Sequence, residues 1–419
     1  MKHRERFTAG LRVSVAAAAI AALAPRVAGA ETDAELYTRY LGNAPSGFET
    51  DWSDGFNGIT HDDSHWYLSQ SKYLYRAPLA RSLDRDLKRT GAPYIRLEDL
   101  PPLENYGHFG DISYYESGGV GHVLVPVDAG VKAGSTVEGS PVPRFTYEKL
   151  PAKLAIFRAD RSLRFIAATD FPGQLGDDGD GQAGFVAVDG RGRVYSARNN
   201  GLCTHLARAR ARGANPLEAS CLRRYSANWS ALADEGGRPR AFALRFEREI
   251  RLLDDQGKPI LLENMQGGAV AHGDRVIYLL NGLNCSANEG VHAFDLETGR
   301  MRASSTTDTA FRFEHRCGGK RYEEPEGLTV WDLDGVPNPD GIRGQLHVVL
   351  MKNQLDANNL WFKHYTTRTF VRDHRTESDR TQVRDHRSAN DASKGAVHVR
   401  DHRSLSGGGE GAANVRDHR

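Results

Sequence analysis

Five short segments of this chain share a glycine that opens a run of β-forming residues. They are Phe56-Asn57-Gly58-Ile59-Thr60, His108-Phe109-Gly110-Asp111-Ile112, Gln182-Ala183-Gly184-Phe185-Val186, Gln266-Gly267-Gly268-Ala269-Val270 and Pro325-Glu326-Gly327-Leu328-Thr329. Most lead into a polar turn, such as His61-Asp62-Asp63 or His272-Gly273-Asp274, and then a stronger strand. Strand signals dominate from Trp52 to Tyr365, as in His65-Trp66-Tyr67-Leu68, Leu154-Ala155-Ile156-Phe157 and Leu346-His347-Val348-Val349-Leu350. They are short, rich in β-branched and aromatic residues, and bounded by Gly, Asp and Asn. Long amphipathic helical patterns are scarce; the candidates are Ala34 to Tyr40 and Leu206 to Arg212.

Repeated units of three or four antiparallel strands at this spacing point to radial repetition. Near the axis of such an array neighbouring sheets come closest, and a side chain there would clash, which explains the glycines. The expected fold class is all-β: a five- or six-bladed β-propeller with a disordered C-terminal repeat tail. The interval between Gly184 and Gly268 leaves room for a sixth blade, with Ala241 to Phe246 and Glu249 to Leu253 as its strands. A pair of β-sandwiches is the alternative. In layout, residues 50–365 resemble secreted five- or six-bladed propellers.

Both ends differ from this middle. Lys2, Arg4, Arg6 and Arg12 precede the apolar run Val13 to Leu23, and Ala28-Gly29-Ala30 supplies small residues for cleavage. This is the pattern of a secretory signal peptide over residues 1–30. The run is too short to span a bilayer, so a secreted or periplasmic protein without a membrane span is expected. Four cysteines suit an oxidising compartment. The local pairing is Cys203–Cys221 and Cys285–Cys317, although spacing alone does not fix it. A net charge of +1 gives no pull toward nucleic acid.

The propeller is expected over 31–368 and a tail over 369–419. Val371 to Arg375 reads VRDHR, and the same five letters return at 383–387, 399–403 and 415–419. The spacers between copies share little, so identity is confined to the five residues. The spacers have linker composition. The plain reading is a low-complexity solvated tail. The sharper readings take VRDHR as a multivalent interaction motif or as a substrate.

Candidate chemistry sits beside the glycines. In a propeller Asn57, His108, Asp111, Gln182, Gln266, Glu324 and Glu326 converge at the channel. Oxygen ligands suit calcium, and His108 admits copper or iron; a hydrogen-bonded polar network is the bland reading. His61 and His65, the acidic loops Asp177 to Gly181 and Asp332 to Asp340, and the arginines Arg208, Arg210, Arg212, Arg223 and Arg224 all read more simply as turns and solvated loops. No Gly-x-Ser-x-Gly elbow, P-loop or HExxH occurs.

Identical cores in divergent spacers on an exported chain resemble a multi-core precursor of ribosomally synthesised, post-translationally modified peptides. That resemblance implies an autocatalytic, metal-dependent oxidative modification of the chain's own tail by the propeller, followed by a processing protease. The modified residues would be Arg372, Asp373, His374, Arg384, Asp385, His386, Arg400, Asp401, His402, Arg416, Asp417 and His418. Alternatives are a secreted binding protein using VRDHR, or a calcium-dependent propeller hydrolase.

Overall fold

The structure is a computed structural model. It describes residues 34–44, 55–83, 85–129, 150–173, 182–199, 201–206, 219–232, 241–282, 288–314, 321–354 and 359–371. The expected signal segment over residues 1–30, Cys285, Cys317, the Asp177 to Gly181 loop and residues 372–419 lie outside the described residues.

The first described strand is β1 (Ala34–Ala44). Blade 1 follows as β2 (Phe56–His61), β3 (His65–Gln70), β4 (Tyr73–Pro78) and β5 (Tyr94–Arg96). Blade 2 holds β6 (Tyr106–Phe109), β7 (Ser113–Ser117), β8 (Val120–Ala129), β9 (Lys153–Arg158) and β10 (Phe165–Asp170). Its β6 and β7 both pair with β8, and so form one inner strand interrupted at Gly110 to Ile112. Blade 3 is β11 (Ala187–Val188), β12 (Val194–Ser196), β13 (Cys221–Ala227) and β14 (Leu244–Arg251). Blade 4 is β15 (Met265–Ala271), β16 (Val276–Asn281), β17 (Gly290–Asp295) and β18 (Met301–Ser304). Blade 5 is β19 (Arg321–Val330), β20 (Leu346–Gln354) and β21 (Asn359–Val371), completed on its outer edge by β1. The molecule is a five-bladed β-propeller, each blade an antiparallel sheet.

Each of the five glycine-led segments runs along the inner edge of one blade. Two expectations need correction. Among the described residues the sheets number five, and the stretch assigned to a sixth blade holds the single strand β14, outermost in blade 3. The spacing misleads because blade 3 carries 24 residues between β12 and β13 and 16 between β13 and β14. Ala34 to Tyr40 is not a helix but most of β1. Leu36, Thr38 and Tyr40 turn inward while Glu35, Tyr37 and Arg39 are exposed, the period of two that a half-buried strand requires. The sheet also reaches past the expected tail boundary, since Thr369, Phe370 and Val371 pair with Leu36, Glu35 and Ala34.

The core is divided among the seams between blades. Along β3, Trp66 and Leu68 pack toward blade 5 with Val349 and Phe362, while Tyr67 packs toward blade 2 with Phe109, Val123 and Phe157. Successive residues face opposite neighbours, so inner strands are apolar on both sides and read as continuous hydrophobic runs. Near the axis the blades touch backbone to backbone. A Cβ on Gly110 would lie 2.7 Å from the Gly184 carbonyl, and one on Gly327 2.8 Å from Cα of Gly58.

Candidate functional site at the channel mouth

The sheet register explains why polar side chains gather here. Inner strands carry a one-residue irregularity at the same level in four blades: between Phe56 and Gly58, Tyr106 and His108, Met265 and Gly267, and Pro325 and Gly327. The extra residues are Asn57, Gly107, Gln266 and Glu326. A bulge bends its strand and re-aims a side chain. Three of the expected site residues are thus bulge residues.

Asn57 organises the group. Its Oδ1 accepts the N–H of Ser71 at 2.6 Å, which fixes the amide's orientation. Its Nδ2 then donates to Nε2 of His108 at 2.7 Å. Because Nε2 accepts, the His108 ring proton belongs on Nδ1, which stands 3.7 Å from Oδ2 of Asp128. Asp128 is buried and held by the N–H of Ala183 at 2.8 Å. Asn57 also bonds to Glu326, and Gln266 Nε2 donates to Oε1 of Glu324 at 3.2 Å. Gln182 adjoins Ala183 in the same inner segment.

Glu326 is 4% exposed. Burial pushes its carboxyl well above the usual range, the charges of Glu324 and Asp111 push it further, and the Asn57 bond opposes them. Burial and the two neighbouring carboxyls therefore favour the protonated form of Glu326 over the charged one. Asp128 went unnoticed in the sequence; a lone acid ending the apolar run of β8 was its only signal.

Asp111 has a different place. Its carboxylate lies on the axis with Oδ1 and Oδ2 turned to main-chain N–H groups. Burial raises its pKa well above the usual carboxylate range, and the four N–H donors oppose that rise; here the hydrogen-bond geometry, not the burial, decides the form. A proton on either oxygen would displace a donor, so this hydrogen bonding suits the ionised form.

The set fits a metal poorly. Both Asp111 oxygens already accept two N–H groups each, and Glu326 is buried and bonded to Asn57. Among the described residues no group of three or more His, Cys, Asp or Glu is placed to hold a metal ion. Copper, iron or calcium therefore finds no ready cage in His108, Asp111, Glu324, Glu326, Asn57 and Gln266.

The remaining candidates are structural. His61 donates from Nε2 to Val330 O (2.9 Å) and stacks on Trp331 rather than facing His65. Asp62 receives the N–H groups of Ser64 and His65, both at 2.7 Å, a plain turn. In the second acidic loop Asp340 receives Ser82 Oγ at 2.6 Å and Leu83 N at 2.8 Å. Arg223 departs from the solvated reading: it is 2% exposed and bonded to Glu249, Thr204 and the Gly173 carbonyl. Arg208, Arg210 and Arg212 lie outside the described residues, as do Cys285–Cys317 and the twelve core residues named in the tail. Cys203 and Cys221 form a disulfide, compatible with an oxidising compartment. Among the described residues no helix is long and apolar enough to cross a membrane.

No protein-family model matches the chain, and no curated protein matches it. Among solved structures it is similar to the GH43_1 enzyme from Xanthomonas citri, at 12% identity over 75% of this chain and 87% of that one, TM-score 0.40. The α-L-arabinanase of Cellvibrio cellulosa, complexed with arabinohexaose, gives 13% identity over 75% and 91%, TM-score 0.34. A luciferin-regenerating enzyme gives 8% over 80% and 85%, TM-score 0.36. Likeness at this level assigns the chain neither family nor activity.

Proposed function

We propose that this protein is a propeller hydrolase that works by acid–base chemistry at the channel mouth, with Glu326 as the general acid. The carrying observation is the buried Glu326 carboxyl, bonded to Asn57, beside the ordered Asn57–His108–Asp128 array. Glu326 would protonate the departing oxygen. The attacking water would displace the Asn57 amide from Nε2 of His108 and give its proton to that nitrogen, with Asp128 facing the Nδ1–H; exchange with solvent would restore both groups. Two acid–base groups in unlike surroundings are what this division of labour requires. Among the described residues Asn57, His108, Asp128 and Glu326 have no lysine or arginine partner, which disfavours phosphate esters. The amide and carboxyl groups suit a neutral, hydroxyl-rich substrate such as a glycoside.

The test is a panel of chromogenic glycosides and esters with the purified protein. Glu326→Gln is expected to lower turnover roughly a hundred- to ten-thousand-fold with an unchanged melting temperature. Turnover that survives this substitution, or no turnover across the panel, sinks the assignment.

A second reading rests on the tail. Four identical VRDHR copies in unlike spacers favour an exported self-modifying peptide precursor, or a multivalent binding motif. Tandem mass spectrometry of exported protein, incubated with copper, iron or calcium, separates them. A repeated mass change on Arg, Asp or His of each core is expected for the precursor. Four unmodified cores under every condition would refute it and direct attention to partners captured by the tail.

A further inference from the structure

Asp111 touches every blade. Oδ1 accepts the N–H of Ile59 in blade 1 and of Ile112 in its own blade, both at 3.0 Å. Oδ2 accepts Gly268 of blade 4 at 3.0 Å and Leu328 of blade 5 at 3.2 Å. Its main chain completes the circle in blade 3: its N–H donates to Gly184 O and its carbonyl accepts from Val186 N, each at 3.0 Å. The side chain is fully buried, and glycines surround it. A Cβ on Gly327 would lie 2.5 Å from Oδ1, and one on Gly267 3.0 Å from Oδ2.

Each inner strand brings unpaired N–H groups to the axis, because beyond it lies no further strand. Buried donors left without acceptors are costly. Water, an ion or a side chain could satisfy them. We propose that the propeller axis is an anion-binding site which the chain fills with its own Asp111 carboxylate, so that ring closure needs no metal ion. The four donors converge on a volume the size of one carboxylate, and the glycines are the walls that leave this space. This inference stands apart from the proposed hydrolysis.

The decisive variant is Asp111→Ala in the full chain. It should leave an empty carboxylate site lined by N–H groups. Its melting temperature should fall by about 10 °C or more. Sodium formate should restore part of the loss, the bulkier acetate less, and chloride at equal ionic strength little. Wild type should respond to none of them. In wild type, a chelator or added calcium or copper should leave the melting temperature where it is. Should Asp111→Ala not be recovered folded, Asp111→Asn replaces it: the new amide sets an N–H donor against the donors on the axis and should also melt lower. A wild-type melting temperature that depends on divalent cations, Asp111→Asn melting with wild type, or a folded Asp111→Ala that formate does not rescue, would each overturn the proposal.

Discussion

Alanine at position 184 is expected to prevent the ring from closing. A Cβ on Gly184 would fall on the carbonyl of Met265, a main-chain atom of the next blade. A side chain could swing aside; this carbonyl belongs to an inner strand held by pairing with Asn281. Relief would require blades 3 and 4 to separate along a seam packed with Phe185, Met265, Ile277 and Leu279. Overpacking that the core cannot absorb falls among the largest single-residue effects, more than about 4 kcal/mol. Gly55 is the control. A Cβ there meets Ser71 Oγ at 3.4 Å and Met351 Sδ at 3.7 Å, ordinary contacts. Gly55→Ala should unfold in denaturant with wild type, whereas Gly184→Ala should give little soluble folded protein. Equal midpoints for the two variants would show that close approach does not explain the glycines.

The second large effect is loss of stability in mild acid. His292, His347 and His364 are buried, and burial lowers the pKa of each, to about 4 for His292 and His347. Their bonds require neutral rings. His292 donates from Nε2 to Asn288 O at 2.8 Å and accepts at Nδ1 from Ser304 Oγ at 2.9 Å. His347 donates from Nε2 to Trp331 O at 2.8 Å, so its Nδ1 accepts from His364 Nδ1 at 3.1 Å. An unfolded histidine titrates near pH ~6.5. Below that the unfolded chain gains protons that the native rings refuse. The contribution is therefore whole above about pH 6.5 and falls away as pH drops toward about 4. For His292 alone the loss across that window is about 3 kcal/mol. Melting temperatures should fall steadily from about pH 7 to about pH 5, with a shallower slope in His292→Leu. A level profile would refute this.

The ring was legible because its signal is local. A glycine forced by close approach is one letter, and five of them mark five inner edges. Asn57, Gln266 and Glu326 came with them, being their neighbours. Their bulges were hidden, since a single extra residue in a strand leaves no trace until its partner is known. Asp111 was visible but its role was not: an acid beside a glycine suggests a metal ligand, and only the converging N–H groups of other blades reveal an internal staple. The missed elements depend on distant partners. β1 has helix-like composition and becomes a strand because β21 offers an edge. Asp128 acquires meaning only beside His108.

That last seam has a bearing on how the chain is made. Ala34 pairs with Val371, so the first and last strands of the ring meet across roughly 330 residues of sequence. Contacts of such separation form late and slowly. During vectorial synthesis the earlier blades can assemble as they emerge, while β1 waits beside an unfinished circle. Until β21 arrives, β1 and β20 each present a bare edge, the kind of surface on which chains aggregate. Premature termination anywhere before β21 should therefore cost solubility more than its few missing residues suggest, and holdase chaperones would matter most in the interval before closure.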